Sequence, residues 1–318
     1  MTDPTLSVII VTWNDWPKLQ VCLNSIFNSE LPPTEVVVID NASVDGTRER
    51  IRERFPATRV CRNESNIGHT RAVNLGFSLA RGEFILVLDS DTELTGDTVH
   101  RLLAFLRARP DVALLAPRTF NTDGTVQESA RGFPGVMSGL FGRQSALTRL
   151  FPNNPFSRRY LARNFLRASE PFQVGQVGGA CMFFRRKLLD EVGAWDERYF
   201  GYWVDTDWCR GLAVRGKTVY CLPDAHITHH EGNRRGNRKT ASRIWMFHYG
   251  AYQYYTKWHT AGYCDPRSLL AFAALSTRSL LKTAMNNLTV PTAARAQSES
   301  KPRQQGEVRQ AEYRGTRP

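Results

Sequence analysis

The N-terminal third of the chain alternates short apolar runs with stretches of helical spacing. Residues 6–12, LSVIIVT, are a continuous and largely β-branched run, as expected of a strand buried on both faces of a sheet. Four further runs are predicted to be strands: 35–40, 59–63, 84–89 and 112–117. The segments between them have the spacing of amphipathic helices: 16–27, 43–55, 69–80 and 98–107. This repetition predicts an α/β fold with a parallel sheet and helices on both faces.

The pattern loosens from residue 120 to residue 171, where long loops and short helices are expected. Regular spacing returns as a strand and a helix over 177–193, a helix over 204–215, a strand over 218–223 and a helix over 244–258. The helix predicted over 268–288 is apolar on one face, and an interfacial helix and a core-packed helix both fit it. No apolar run reaches the length of a membrane span, and the polar tail 291–318 is expected to be disordered.

Polar residues follow three of the predicted strands. They are Thr12 with Asn14, Asp40 with Asn41, and Asp89 with Asp91. Any one of these pairs is explained as the cap of the next helix, but caps explain all three together less well. Since ligands bind beyond the carboxyl ends of parallel strands, these residues predict a binding site at one edge of the sheet.

The most acidic of these strand ends is Asp89-Ser90-Asp91. Two like charges this close repel, and a cation would offset the repulsion. An EF-hand loop is excluded because Leu94 stands where the loop needs glycine and His100 where it needs glutamate. A short carboxylate pair suits Mg²⁺ or Mn²⁺, which bind through one or two carboxylates plus substrate phosphates.

The charge of the chain favours an anionic partner. The 318 residues have a formal net charge of +12. Residues 131–167 hold seven arginines and no acid, and a second cluster comprises Arg234, Arg235, Arg238, Lys239 and Arg243. A solvated surface explains each arginine singly, whereas the clusters predict a surface that faces phosphates or a membrane. Six cysteines without a CxxC pair suggest core residues in a reducing compartment.

Several functions are excluded by missing motifs. The first strand is followed by WNDW rather than by the glycines of a dinucleotide-binding fold, and no P-loop occurs. No zinc finger, RNP-like aromatic motif or helix-turn-helix signature supports nucleic-acid binding. A nucleotidyltransferase would need a glycine-rich, lysine-bearing loop after the first strand. The N-terminus, MTDPTLSVIIVTWN, lacks the basic start of a signal peptide, so a cytoplasmic location is expected.

A set of motifs resembles glycosyltransferase family 2 of the GT-A fold. They are SVIIVTWN, VVVIDNASVDGT, NIGHTRAVNLG and LVLDSDTEL, followed by VGGACMFFRRKLLDEVGAWDERYF and YWVDTDWCRGL. The resemblance implies a mixed, mostly parallel sheet and transfer of a sugar from a nucleotide diphosphate donor, usually with inversion and a divalent metal. It divides the chain into a GT-A domain (1–262), a helical extension (263–290) and a basic tail (291–318). The domain comprises a donor half (1–118) and an acceptor half (119–262).

The same resemblance assigns residues to the site. Asp40 matches the aspartate that binds the donor's base, and Asp89 and Asp91 match the motif that binds the metal and the diphosphate. His229 is assigned to the metal, with His230 as the neighbouring alternative. The remaining residues expected at the nucleotide-sugar are Thr12, Asn14, Asn41, Asn66, Gly68, Arg71, Asn74 and Ser90.

Asp205 matches the family's catalytic base, which takes the proton from the acceptor hydroxyl. The family often has Glu-Asp here, whereas this chain has Val204-Asp205. Asp207 is the rival, although it is expected to pair with Arg210 three residues on.

The segment PRTFNTDGTVQESARGFPG, with the arginine-rich stretch after it, resembles bacterial rhamnosyltransferases. This implies a dTDP- or UDP-sugar donor, with dTDP-rhamnose first, and a glycan or lipid-diphosphate-linked acceptor in cell-surface polysaccharide synthesis. Peripheral contact with the inner face of the plasma membrane is expected from the arginine clusters. The alternative is a catalytically silent nucleotide-sugar or carbohydrate-binding protein of the same fold.

Overall fold

The computed structural model describes residues 5–139, 146–151, 154–161, 167–230 and 240–288. These residues contain the following strands: β1 (Leu6–Thr12), β2 (Glu35–Asp40), β3 (Thr58–Arg62), β4 (Phe84–Asp89), β5 (Thr92–Leu94), β6 (Val112–Phe120), β7 (Phe172–Val174), β8 (Cys181–Arg185) and β9 (Thr218–His229). The helices are α1 (Trp16–Phe27), α2 (Thr47–Arg54), α3 (His69–Leu79), α4 (Thr98–Ala108), α5 (Ala146–Leu150), α6 (Pro155–Leu161), α7 (Leu188–Val192), α8 (Val204–Val214), α9 (Ala241–His259) and α10 (Pro266–Leu288), with a 3₁₀ turn at Val136–Gly139. The expected loops and short helices between 120 and 171 are confirmed for the part of that stretch that the structure describes.

All the strands join one sheet in the order β3-β2-β1-β4-β8-β6-β9-β5, with β7 paired to β9. Neighbours β3, β2, β1 and β4 are mutually parallel, whereas β8 runs antiparallel between β4 and β6. The described residues form as many antiparallel pairs as parallel ones, but the parallel pairs are longer. The predicted mixed, mostly parallel sheet is thus confirmed.

Strand β1 shows why its apolar run is continuous. Val8 and Ile10 face α1, α2 and α4, whereas Ile9 and Val11 face α3 and α8 on the other side of the sheet. Successive side chains of a strand point to opposite faces, so a strand covered by helices on both faces needs apolar residues at every position. Helices therefore cover both faces of the sheet, and β1 lies between the two hydrophobic cores that result.

Strand β9 is longer than the sequence indicates. The prediction ended it at Pro223, but the strand continues to His229. Its register with β6 shifts so that Leu222 pairs with Pro117 and His226 with Arg118. This bulge lets the end of β9 pair with β5, where His229 lies opposite Thr92.

Most of the cysteines lie in the core of the protein. Cysteines 22, 181, 209 and 221 are buried, and burial raises the pKa of Cys209 and Cys221 to about 12, so these thiols are core residues, as predicted.

Within the described residues, no helix is both long enough and apolar enough to cross a membrane. The predicted tail 291–318 and the cluster residues 234–239 lie outside the described part of the chain.

Candidate active site

The carboxyl ends of β1, β2 and β4 lie side by side, as the sequence predicts. Thr12 pairs in register with Asp40, and Val11 with Asp89. Asp40 and Thr12 are buried, with 0% and 1% of their surface exposed, whereas Asp89 is only partly buried. The polar residues that end these strands therefore meet at the edge where open α/β sheets bind ligands.

Two buried polar atoms at this edge are suited to bind a ligand. Asp40 Oδ2 and Thr12 Oγ1 have no hydrogen-bond partner among the described residues. The other carboxylate oxygen of Asp40 accepts a hydrogen bond from the backbone N–H of Ser43 at 2.9 Å, and Arg62 Nε lies 3.7 Å from Oδ2. A buried polar atom left unbonded costs about 1–3 kcal/mol, so a ligand that donates to these two oxygens would gain from binding here.

Asn14 and Asn41 shape the loops around this edge. Asn14 has a positive φ of 50°, and its side-chain oxygen accepts from the backbone N–H of Val44 at 2.8 Å. The side chain of Asn41 is buried, donates to the carbonyl of Gly68 at 3.3 Å, and accepts from Asn63 at 2.8 Å. Both residues thus lie where the sequence places them, and their amides join the loops after β1, β2 and β3.

The turn before α3 needs a glycine. Asn66 accepts the backbone N–H of Gly68 at 3.0 Å, and Gly68 has a φ of +88°. A Cβ at Gly68 would lie 2.8 Å from both the ring and the carbonyl oxygen of Phe200. Close backbone approach, which the sequence predicts for Gly68, is therefore found, but with Phe200 of the chain itself as the neighbour.

Asn74 and Arg71 contact the turn that precedes α8. The side chain of Asn74 donates to the carbonyl of Trp195 at 2.8 Å and accepts its backbone N–H at 3.0 Å. Arg71 Nε lies 3.4 Å from a carboxylate oxygen of Glu197, and both side chains are more than half exposed. These two residues join α3 to the turn that precedes α8, and their assignment to the nucleotide-sugar stays a prediction.

Asp89, Asp91 and His229 form a cluster that we call the metal trio. One donor atom from each lies within 4.8 Å of the others. His229 Nε2 is 3.2 Å from Asp91 Oδ1 and 3.8 Å from Asp89 Oδ2. Ser90 lies between the two aspartates in the turn and is partly buried. Two carboxylates and one imidazole nitrogen are donors that Mn²⁺ and Mg²⁺ accept.

The ring of His229 is held from its other side. Its Nδ1 lies 3.1 Å from Gln127 Oε1, and this contact turns Nε2 towards the aspartates. Lys18 Nζ is 3.3 Å from Asp91 Oδ2, and His69 Nε2 is 3.9 Å from Asp89 Oδ1. Burial alone would raise the pKa of Asp91, but the hydrogen bond and charge of His229 and the charge of Lys18 lower it to about 2. Asp91 is therefore ionised at neutral pH.

Asp205 lies in the first turn of α8, and backbone groups of β4 and of the segment before β8 connect it to Asp89. Its Oδ2 accepts from the backbone N–H of Gly179 at 3.2 Å, and its Oδ1 from that of Thr206 at 2.8 Å. The carbonyl of the next residue, Ala180, accepts from the backbone N–H of Asp89 at 3.1 Å. Two adjacent residues, Gly179 and Ala180, thus connect the carboxylate of Asp205 to the strand end that carries Asp89.

The predicted pairing of Asp207 with Arg210 is wrong. Asp207 is 4% exposed and points towards α9, where Lys257 Nζ lies 2.7 Å away and Trp258 Nε1 donates at 2.7 Å. Tyr199 also donates to it, at 3.1 Å. The guanidinium of Arg210 lies instead over the ring of Phe133, 4.9 Å from its centroid. A carboxylate enclosed by three donors of the chain is poorly placed to take a proton from a substrate, which leaves Asp205 as the candidate base.

The adjacent histidines His229 and His230, at the carboxyl end of β9, have different contacts. His230 Nε2 lies 3.2 Å from Glu93 Oε2, away from the metal trio, although its backbone N–H donates to the carbonyl of Asp91 at 2.8 Å. His229 is the last residue of β9 and His230 lies in the turn after it, and among the described contacts the ring of His229 is the one that reaches the trio.

Comparisons with known proteins agree with this geometry. A model of the family described as Glycosyl transferase family 2 matches residues 7–193, which is more than half of the chain. The chain belongs to glycosyltransferase family 2. It is therefore a glycosyltransferase, as the sequence motifs indicate.

Curated relatives of this glycosyltransferase cover most of its length. An N-acetylglucosaminyl-diphospho-decaprenol L-rhamnosyltransferase of Mycobacterium tuberculosis is 29% identical over 292 residues, which are 88% of this chain and 93% of the relative. The O-antigen biosynthesis protein RfbC of Myxococcus xanthus is 25% identical over 77% of this chain but only 19% of its own.

Solved structures confirm the GT-A fold. The mannosyltransferase PcManGT of Pyrobaculum calidifontis, in complex with GDP-Man and Mn²⁺, aligns with a TM-score of 0.56 at 21% identity over 93% of this chain and 79% of its own. GalNAc-T7, solved with UDP, GalNAc and Mn²⁺, aligns with the same TM-score at 17% identity over 80% of this chain and 50% of its own.

Three of the described residues that lie near the metal trio of this glycosyltransferase were not predicted from the sequence: Lys18, His69 and Gln127. Each is distant from Asp89 and Asp91 along the chain. His69 lies inside the motif NIGHTRAVNLG and Lys18 in the first turn of α1, the helix that follows β1, so position offered a signal for both. Gln127 lies in the loosely patterned region, and only the fold shows its contact with His229.

Proposed function

We propose that this glycosyltransferase moves L-rhamnose from a dTDP-linked donor to a hydroxyl group of a lipid-diphosphate-linked glycan, with inversion, in cell-surface polysaccharide synthesis. A UDP-sugar is the second donor class. The observation that carries the proposal is the connection of Asp205, through Gly179 and Ala180, to the strand end of the metal trio. The printed name of the mycobacterial relative supports the sugar and the acceptor class.

In this proposal the nucleotide lies over the ends of β1 and β2. The buried oxygens of Asp40 and Thr12 accept hydrogen bonds from the donor's base. Asn14 and Asn41 hold the loops that border this pocket, and Asn66 and Gly68 form the turn beside it. Arg71 and Asn74 act on the donor indirectly in this proposal, because their side chains contact the turn at Trp195–Glu197.

The residues of the metal trio fit a divalent cation. Their donor set is two carboxylates and an imidazole nitrogen, and Gln127 fixes the ring of His229 so that Nε2 faces the aspartates. Asp89, Asp91 and His229 would hold Mg²⁺ or Mn²⁺, and Ser90 lies in the turn between the aspartates. The bound cation would supply positive charge that stabilises the departing diphosphate.

Asp205 acts as the general base. Its carboxylate takes the proton of the acceptor hydroxyl as the hydroxyl oxygen bonds to the anomeric carbon and the bond from that carbon to the diphosphate breaks. The nucleoside diphosphate leaves with the bonding electrons, and the configuration of the sugar inverts. The hydrogen bonds from the backbone N–H groups of Gly179 and Thr206 fix the position of the carboxylate.

We place the protein in the cytoplasm, in peripheral contact with the inner face of the plasma membrane. A water-soluble nucleotide-sugar and a lipid-anchored acceptor can meet only where the membrane borders the solution. The arginines of residues 131–167 would attract anionic lipids or the acceptor's diphosphate. Binding to vesicles that is unaffected by salt and by anionic lipid would contradict this assignment of the arginines.

A donor panel tests the proposed function. The full-length chain is incubated with dTDP-, UDP- and GDP-sugars and a lipid-diphosphate-linked glycan, with and without Mn²⁺ or Mg²⁺, and nucleotide release is measured. We expect turnover with dTDP-rhamnose that a chelator abolishes and that added metal restores. Turnover that survives chelation would overturn the metal assignment, and turnover only with another donor would overturn the sugar.

A further inference from the structure

Helix α10 presents apolar side chains to solvent and small polar side chains to the protein. Ser268 and Ser279 are 0% and 3% exposed, whereas Leu270, Leu280 and Leu281 are 72%, 69% and 61% exposed. A helix that covers a protein core has the opposite arrangement. The buried hydroxyl of Ser268 is bonded, since its Oγ donates to the carbonyl of Gly262 at 2.7 Å. Of the two alternatives that the sequence left open for this helix, interfacial or core-packed, the arrangement agrees with the interfacial one.

The exposed leucines share one face of α10. At 100° per residue, the largest exposed apolar side chains fall within about half of the helix circumference: Leu269, Leu270, Leu280, Leu281 and Met285. We call this set the outer face. Contiguous apolar surface of this kind marks a site of contact with another molecule or with a membrane.

The charges around the outer face identify the kind of partner. Helices α9 and α10 contain no aspartate or glutamate and carry five cations: Arg243, Lys257, Arg267, Arg278 and Lys282. Arg278 and Lys282 lie beside the outer face, so an apolar surface bordered by positive charge is presented to the partner.

Aromatic side chains line the seam between α9 and α10. Trp245, Tyr249 and Phe272 are each about two-fifths exposed. Trp245 stacks on Tyr249 with ring centroids 6.2 Å apart and meets Phe272 edge-on at 6.4 Å. Tryptophan and tyrosine prefer the boundary between hydrocarbon and water, because their rings are apolar and their N–H and O–H groups are polar.

We propose that the outer face of α10, with this aromatic seam, docks the enzyme on an anionic lipid surface. The leucines enter the boundary between headgroups and acyl chains, and the cations bind lipid phosphates. A second copy of the chain fits less well, because two such helices would oppose cations with cations and neither offers a carboxylate. An anionic bilayer supplies both the apolar interior and the negative charge.

The docking surface is connected to the candidate base. The ring of Trp203, two residues before Asp205, packs against Phe247 and Tyr254 of α9 with centroids 5.7 and 5.5 Å away. Lys257 and Trp258 at the end of α9 bind Asp207 of α8. Docking through α9 and α10 would thus hold α8 at a set distance from the membrane. This link to catalysis rests on the proposed function, whereas lipid binding itself does not.

Vesicle sedimentation of the full-length chain, without donor or acceptor, tests the docking. Vesicles of phosphatidylcholine alone are compared with vesicles containing phosphatidylglycerol. We expect sedimentation with the anionic vesicles, weakened by salt. Leu280→Gln with Leu281→Gln should lower the partition coefficient on the order of 100-fold, because each buried leucine contributes about tenfold or more. Lys282→Gln should lower it only severalfold.

The matched control is Val214→Gln, which changes an apolar residue 64% exposed at the end of α8 and should bind vesicles like the wild type. Circular dichroism checks that the leucine variant is folded, and sedimentation velocity reports its oligomeric state. The proposal is overturned if the wild type does not sediment with anionic vesicles, or if the leucine variant binds them as strongly as the wild type does. A wild-type dimer that the leucine variant converts to monomer, without lipid binding by either, would assign the outer face to a second copy instead. Since no turnover is measured, these outcomes are independent of whether rhamnose transfer is correct.

Discussion

Asp205 and Asp207 lie two residues apart in α8, yet we expect their asparagine variants to fail in different ways. Asp205 is partly exposed and accepts from the backbone N–H groups of Gly179 and Thr206 and, at 3.5 Å, from the Thr206 hydroxyl. Asp207 is buried among Tyr199, Lys257 and Trp258. Asp205→Asn should therefore remove activity and leave the fold, whereas Asp207→Asn should remove stability first.

The cost at Asp207 follows from its partners. Hydrogen bonds to a charged group contribute about 1.5–3 kcal/mol each, and breaking one side of a buried ion pair costs about 3–5 kcal/mol. Lys257 is 28% exposed and regains water when the carboxylate is lost, and asparagine still accepts one hydrogen bond, so both figures are reduced. We expect Asp207→Asn to lower the free energy of unfolding by about 3 kcal/mol, which lowers the melting temperature by roughly 4–6 °C in a chain of this length.

Asp205→Asn keeps an acceptor oxygen for one of its two backbone partners, so we expect its free energy of unfolding to fall by at most about 1 kcal/mol. Its turnover should fall about 100- to 10,000-fold, because the amide cannot take the acceptor's proton. Binding of the nucleotide-sugar, measured by calorimetry, should be unchanged. Loss of turnover without loss of stability or of donor binding in this variant would therefore distinguish a catalytic base from a residue that only stabilises the fold.

Urea unfolding followed by circular dichroism, beside nucleotide release at saturating donor, measures both effects. A cycle of Asp207→Asn, Lys257→Met and the double variant isolates their coupling, expected at about 1–3 kcal/mol. Full turnover by Asp205→Asn would refute its role as base. A loss below about 1 kcal/mol in Asp207→Asn, or no coupling to Lys257, would show that the buried contacts to α9 do not stabilise the fold as we reason.

Three further outcomes are expected. Gln127→Leu removes the hydrogen bond that orients the histidine of the metal trio, so Mn²⁺ affinity, measured by calorimetry, should drop about 10- to 100-fold; an unchanged affinity would contradict this role. Gly68→Ala adds a Cβ 2.8 Å from the carbonyl oxygen of Phe200 at a φ of +88°, and should cost about 2–4 kcal/mol of stability, whereas Gly96→Ala, with no atom within 4 Å, should be nearly neutral. The pKa of Asp91 is lowered to about 2 in the folded protein, so its ionised form adds about 2 kcal/mol of stability that is present above the unfolded pKa and lost as pH falls from about 4 towards 2. Urea unfolding of metal-free protein across this range should show that loss, and Asp91→Asn should reduce it.

The sequence by itself determined most of the described strands, though not β5 or β7, together with most helices and the edge at which the site lies. The run LSVIIVT predicts a strand covered on both faces, and Thr12, Asp40 and Asp89 end three neighbouring strands of the structure. These features were predictable because they depend on local spacing: alternation and helical periodicity show which residues are buried, and parallel strands bring their carboxyl ends to one edge.

Only the tertiary structure decided which distant residues join them. The bulge between β6 and β9 carries His229 past Pro223 to the aspartates, and Gln127 meets it from a segment without regular spacing. Asp207 turns to α9 rather than to Arg210, and α10 presents its leucines outward. Such contacts join residues tens or hundreds of positions apart, so they follow from how the elements pack together and leave no period in the sequence.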